Sequence, residues 1–203
     1  MIYDVTLPLS PSLARWPGDP AVAVSSFGEQ IKVSQWTLGS HAGTHVDAPT
    51  HFSAGPTTVD ELDPAILLGP CLVLDLPNVT RITAADLAGH SLAEVTRVLL
   101  RTRNSAQWAQ QLTMFDEEFV GLDLSAVECL LDSGVRLIGV DGLSIEPYGG
   151  DGQIHQRCLR AGVIILEGLN LGAVSAGAYD LICAPLKLVG SDGAPARVWL
   201  IGA

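Results

Sequence analysis

Residues 41–52 read His-Ala-Gly-Thr-His-Val-Asp-Ala-Pro-Thr-His-Phe, and this stretch holds three of the five histidines in the chain. Imidazole and carboxylate are donors that suit zinc, manganese or iron(II). The candidate donors His41, His45, Asp47 and His51 all stand at odd positions. Alternate side chains of an extended backbone share a face, so His41, His45 and Asp47 can converge on one point. A helix would bring together only His41 and His45, and Gly43 and Pro49 oppose a long helix. The competing reading is a polar loop whose histidines make ordinary hydrogen bonds. Three imidazoles and a carboxylate within eleven residues weigh toward the metal.

A closed site needs further donors, and His155 and Glu167 are the candidates. Glu167 follows Val163-Ile164-Ile165-Leu166. A charge at the end of so apolar a strand either faces water or is paired or metal-bound, because burying it alone is costly. His155 lies at the start of a predicted helix. His90 has no neighbouring donor and reads as a surface residue. Trp16, in the turn Arg15-Trp16-Pro17-Gly18-Asp19-Pro20, either covers a small core or forms one wall of a pocket.

The elements that must position these residues can be read from periodicity and turn chemistry. Strands are predicted over 2–7, 21–27, 32–38, 71–76, 95–102, 135–140, 163–166, 179–188 and 197–201. Short helical pieces divided by Pro64 are predicted over 59–68. Thr83-Ala84-Ala85-Asp86 and Ser125-Ala126-Val127-Glu128 resemble capping boxes, opening helices through Ala88 and to about Ser133. Residues 154–161 suit a helix closed by Gly162. Residues 104–114 are ambiguous and read as an exposed loop carrying Trp108. A strand-rich first half and an alternating second half predict one mixed α/β domain over 1–203 with a largely buried sheet.

Bulk properties narrow the function. The chain has 203 residues, 48% apolar and 16% charged, which suits a compact domain with a real core. Its net charge of −11 disfavours nucleic acid as a partner. No apolar run approaches membrane-spanning length and the first residues lack a leader pattern, so a cytoplasmic protein without membrane association is expected. Cys71, Cys129, Cys158 and Cys183 form no C-x-x-C pair and read as reduced thiols, most of them buried.

The 41–52 stretch resembles the signature of the cyclase-type metal hydrolases, His-x-Gly-Thr-His-x-Asp-x-Pro-x-His followed by an aromatic. That family includes bacterial kynurenine formamidases and isatin hydrolases. The resemblance extends to Trp16-Pro17-Gly18-Asp19, Ser144-Ile145-Glu146-Pro147, the spacing of His155 to Glu167, Glu167-Gly168-Leu169-Asn170-Leu171, and Pro185-Leu186-Lys187-Leu188. It implies a swivelling β/β/α fold and an arylformamidase-like enzyme acting on C–N amide bonds, as in tryptophan catabolism. It also implies one or two divalent ions, zinc first and manganese second. His41, His45 and Asp47 would hold the first ion; Asp47 and Glu167 would bridge to a second, held also by His155. His51 would be the general acid/base, and Trp16 and Phe52 would contact a small-molecule amide substrate. A homo-oligomer, a dimer, is implied as well. Residues 146–153, Glu-Pro-Tyr-Gly-Gly-Asp-Gly-Gln, depart from the usual formamidase loop, and Gln153 offers an oxygen ligand if a single ion binds. A lactam hydrolase of the isatin type and a non-catalytic metal-binding protein are the alternatives.

Overall fold

The computed structural model describes residues 1–109 and 114–202. Strands β1 (Ile2–Asp4), β4 (His45–Asp47), β5 (Leu68–Asp75), β6 (Arg97–Arg101), β7 (Leu137–Val140), β8 (Ile164–Glu167), β9 (Gly177–Pro185) and β10 (Gly193–Ile201) form one mixed sheet. Its order is β1-β10-β4-β8-β7-β6-β5-β9, and β9 also pairs with β10, so the hydrogen bonding runs round and closes on itself. Strands β5, β6, β7 and β8 are parallel, whereas β4, β9 and β10 pair antiparallel.

Alternation along each strand divides the apolar residues between two cores. Val46, Leu99, Leu137, Ile164 and Leu166 fill the inner one. Val98, Leu100, Ile138, Val140 and Ile165 point the other way, onto a helical layer. That layer contains α2 (Ala84–Leu87), α4 (Leu124–Asp132) and α5 (Gln153–Arg160), which bury Leu87, Val127, Leu130, Ile154, Cys158 and Leu159. Both faces of β6, β7 and β8 are therefore dry, which explains their near-continuous apolar sequences. The mixed α/β class with a largely buried sheet agrees with the sequence reading.

Local differences have physical causes. Residues 193–196, Gly-Ala-Pro-Ala, carry no strand signal, since glycine and proline are depleted in strands. Even so they open β10, where Gly193–Pro195 pair with Asp47–His45. The helix predicted at Ser125 is capped two residues earlier: the Asp123 carboxylate accepts from Ala126 N at 2.9 Å and from Ser125 Oγ at 2.6 Å. An acidic cap answers the helix dipole better than a hydroxyl does. The first part of the ambiguous 104–114 segment is a helix, α3 (Asn104–Ala109), with Trp108 Nε1 donating to the Asp141 carbonyl at 2.8 Å. Residues 110–113 of that segment lie outside the described residues. The 3-10 turn Val59–Glu61 and α1 (Pro64–Leu67) match the two helical pieces either side of Pro64.

Strands β2 (Ala23–Phe27) and β3 (Val33–Thr37) form a separate hairpin whose residues are all exposed, Phe27, Val33 and Trp36 among them. No described helix is long and apolar enough to cross a membrane.

Buried Arg97 fastens α1 to the sheet. Its guanidinium donates to the carbonyls of Ile66 (2.7 Å), Pro70 (3.1 Å) and Ala65. Arg97→Met should leave these acceptors short of donors and lower the unfolding free energy by about 3 kcal/mol. Urea unfolding reads this as a shifted midpoint at unchanged slope; an unshifted midpoint would show that the clamp contributes nothing.

Candidate metal centre and cavity

The site begins where the chain enters β4. Gly43 has φ +67, and a Cβ there would lie 2.8 Å from a Leu9 methyl, so only glycine fits the turn. Its carbonyl accepts from His45 Nδ1 at 2.9 Å, which leaves Nε2 as the nitrogen that would give up its proton to a metal. Gly168, just past β8, has φ +68, and a Cβ on it would lie 2.5 Å from the Gly43 carbonyl oxygen. The tight contact is closed by Thr44 Oγ1, which donates to the Gly168 carbonyl at 2.5 Å and accepts from Leu7 N at 2.8 Å.

Register then brings the donors together. His45 pairs directly with Glu167 across β4 and β8, and Asp47 with Ile165. His45, Asp47 and Glu167 therefore face the layer in which α5 carries His155. His45 Nε2 lies 3.4 Å from Asp47 Oδ1 and 3.2 Å from Glu167 Oε2. His41 Nδ1 lies 2.9 Å from Asp47 Oδ1. His155 Nε2 lies 3.3 Å from Glu167 Oε1 and 3.9 Å from Asp47 Oδ2. Glu167 Oε1 also accepts from Ile145 N at 2.6 Å. This carboxylate is 4% exposed, so the water-facing reading of Glu167 does not hold.

Two trios, His41–His45–Asp47 and Asp47–His155–Glu167, each place their donor atoms within 4.8 Å of one another, with Asp47 common to both. Asp47 is fully buried, and its Oδ2 has no hydrogen-bond partner. An acceptor left bare in a dry interior is costly unless a cation meets it. The donor set, imidazole nitrogen and carboxylate oxygen, fits a divalent ion such as zinc. Gln153 lies elsewhere: it is exposed and its amide donates to Asp151 at 2.7 Å. His90 is exposed, as the sequence suggested.

Electrostatics reinforce the pattern. Burial pulls His45 down, but its contacts with Asp47 and Glu167 outweigh that and raise it to about 10. His155 is likewise pulled down by burial and raised to about 10 by Glu146 and Glu167. Burial pushes Asp47 up, yet His41 and His45 hold it well below the usual carboxylate range. Burial dominates at His51 and lowers it.

Three contributors had no site role in the sequence reading, although Ser144 and Glu146 stood in a motif of the resemblance. Glu146 Oε2 lies 3.0 Å from His155 Nδ1, while its Oε1 accepts from Gly152 N at 2.8 Å. Ser144 Oγ lies 3.3 Å from His155 Nε2. Asp192 Oδ2 lies 3.0 Å from His41 Nε2 and 3.3 Å from His51 Nδ1. The only available signal was a carboxylate in the turn Ser191-Asp192-Gly193.

Above the donors opens a cavity of about 410 Å³ lined by Trp16, His41, His51, Phe52, Glu146 and His155 among others. Trp16 stands in its wall, packed edge-on against Phe115 at 5.2 Å and tilted against Tyr148 at 5.5 Å. Phe52 stacks on the His155 ring at 4.2 Å and 14°, so it holds a donor as well as lining the cavity.

Buried paired carboxylates among imidazoles, at the floor of an aromatic-walled cavity, define a protein of the metal-hydrolase type. The chain belongs to the Cyclase family, described as "Putative cyclase", whose model matches residues 3–147. It is 35% identical over 201 residues to a kynurenine formamidase of Bacillus cereus, covering 96% of this chain and 94% of that one. It is 36% identical over 216 residues to cyclase-like protein 1 of Arabidopsis thaliana, covering 98% and 84%. Among solved structures, a potential metal-dependent hydrolase with cyclase activity superposes with a TM-score of 0.88 at 37% identity, covering 98% and 96%. Isatin hydrolase A from Labrenzia aggregata shares the fold, with a TM-score of 0.85 at 23% identity over 100% and 94%.

A test of the donor set follows from the raised imidazoles. In the metal-free protein, His45 and His155 keep their protons up to about pH 10, against an ordinary value of 6.5. A group raised in this way stabilises the metal-free fold fully below 6.5, and that contribution is lost as pH rises through 10. A metal takes deprotonated imidazole, so zinc uptake at pH 8 should release about two protons per site. Titration calorimetry in buffers of different ionisation enthalpy measures the number. Release near zero would mean that these imidazoles are already neutral or do not receive the ion.

Proposed function

We propose that the protein is a metal-dependent amidohydrolase that cleaves the C–N bond of an N-formyl aryl amine, with N-formylkynurenine as the first candidate and kynurenine and formate as products. The observation that carries this reading is the unpartnered, fully buried Asp47 Oδ2, common to two donor trios whose His41, His45, His155 and Glu167 line the cavity. In this reading His41, His45 and Asp47 hold one ion, and Asp47, His155 and Glu167 hold a second where two bind. Zinc is the first choice and manganese the second, because the donors are nitrogen and oxygen without sulfur. When bound, such an ion would lower the pKa of water to roughly 7 and polarise a carbonyl oxygen.

The remaining work falls to the chain. An amide nitrogen leaves as a poor anion unless it is protonated, so the site needs a proton donor beside it. His51 takes that role. It lines the cavity, and its burial keeps it below the ordinary imidazole value, so it is neutral at neutral pH and can accept a proton before passing it on. Trp16 and Phe52 offer flat apolar faces to an aryl group. Hydrolysis of a lactam of the isatin type is the second reading, favoured by the shared fold of isatin hydrolase A. A non-catalytic metal-binding protein would have no use for His51 and the open cavity.

Two features bear on context. The exposed hairpin β2–β3, with Phe27, Ile31, Val33 and Trp36 in water, suits a dimer in which a second copy covers it, since a lone two-stranded ribbon is marginal. The four cysteines are free, which fits a reducing compartment such as the cytoplasm.

His51→Ala should lower kcat by at least about 100-fold on the true substrate, with zinc content unchanged. Turnover of N-formylkynurenine and of isatin, measured side by side with metal analysis, separates the readings. Loss of metal from this variant would make His51 a ligand, and failure of the wild-type protein to open either amide would sink the substrate proposal.

A further inference from the structure

The carboxylate of Asp192 stands between two imidazoles of different duty. Its Oδ2 lies 3.0 Å from His41 Nε2 and 3.3 Å from His51 Nδ1. Its Oδ1 accepts from Ser40 Oγ at 2.9 Å, which fixes the plane of the carboxylate. The backbone is pinned as well: the Asp192 carbonyl accepts from Ala48 N at 2.9 Å, and the next residue, Gly193, pairs with Asp47 across the sheet. Gly193 must lack a side chain, because a Cβ would lie 2.6 Å from His41 Cε1 and 2.7 Å from the Val46 carbonyl oxygen. The His41 and His51 rings stack at 3.8 Å and 28°, so they share one orientation against this single oxygen.

We infer that Asp192 is a positioning residue that sets the tautomers of His41 and His51 together; this rests on the proposed role of His51 and deepens it. Asp192 is half-exposed, and an ordinary aspartate is ionised at neutral pH. An ionised carboxylate only accepts, so each imidazole must turn an N–H toward it. With an ion bound, His41 would keep its proton on Nε2, and Nδ1, 2.9 Å from Asp47 Oδ1, would be the nitrogen without one. That nitrogen is then the one free to meet the proposed ion. His51 carries its proton on Nδ1, so Nε2, which no described protein group engages, is left as the nitrogen for proton exchange with substrate. One side chain thereby orients a ligand and the acid/base group, a coupling of the kind that outer carboxylates give to metal-bound histidines. The rival arrangement makes Asp192 itself a ligand, since His41, His51 and Asp192 also place donor atoms within 4.8 Å.

Long-range proton–nitrogen NMR of the zinc-loaded protein decides the matter, and five histidines keep the spectrum simple. The wild-type protein should show His51 protonated on Nδ1. Asp192→Asn, whose amide can donate, should move the proton to Nε2, lower kcat by about 100-fold with KM changed less than about threefold, and keep the zinc stoichiometry. Asp192→Glu should restore part of the rate. Should Asp192→Asn fail to fold, Ser40→Ala, which frees one carboxylate oxygen, should give a mixture of His51 tautomers. An unchanged His51 tautomer, or the loss of one zinc equivalent, would overturn the inference. If no amide is turned over by either protein, the hydrolase reading falls, while the tautomer still decides the role of Asp192.

Discussion

Two carboxylates, Asp47 and Glu167, are buried side by side in an apolar interior, and each raises the cost of ionising the other. Both can stay ionised in a dry interior only with positive charge close by. Much of the surrounding architecture can be understood as a response to it. His41 and His45 meet Asp47, His155 and His45 meet Glu167, and the Ile145 backbone N–H adds a neutral donor. Asp47 Oδ2 is the one acceptor of this group that stays unanswered.

The fold supplies this cluster by register rather than by a single motif. The short antiparallel contact of β4 with β8 sets His45 opposite Glu167, and β10 holds the other edge of β4. Glycines at 43 and 168 permit the two loops to cross within contact distance, which aims His45. Helix α5 packs its apolar face on the outer core, and His155 leads from its first turn into the site. Around that rigid floor the cavity wall comes from loops: Trp16 from the first, Phe52 from the turn after Pro49, and Glu146 from the connection between β7 and α5.

The histidine stretch and Glu167 were legible in the sequence because their residue types are costly where they stand. Three imidazoles crowd one turn, and an acid ends an apolar strand. The parallel strands β6 to β8 were legible for a related reason, since burial on both faces leaves an unbroken apolar run. The start of β10 was not, because Gly193 and Pro195 hide a strand that exists through its partners. Asp192 was missed with it: an aspartate beside a glycine is ordinary turn chemistry, and only the pairing of Gly193 with Asp47 brings it to the histidines. Glu146 was noticed only as part of a loop, since its bond to His155 depends on how that loop folds back over α5.

The site turns on whether an ion meets the bare oxygen of Asp47. Anomalous diffraction from crystals grown with zinc tests it most directly. A peak is expected at coordination distance, about 2.0–2.2 Å, from Asp47 Oδ2, with imidazole nitrogens of the two trios completing the contacts. A zinc-bound crystal with its ion held by His41, His51 and Asp192 alone, and Asp47 Oδ2 still bare, would contradict it.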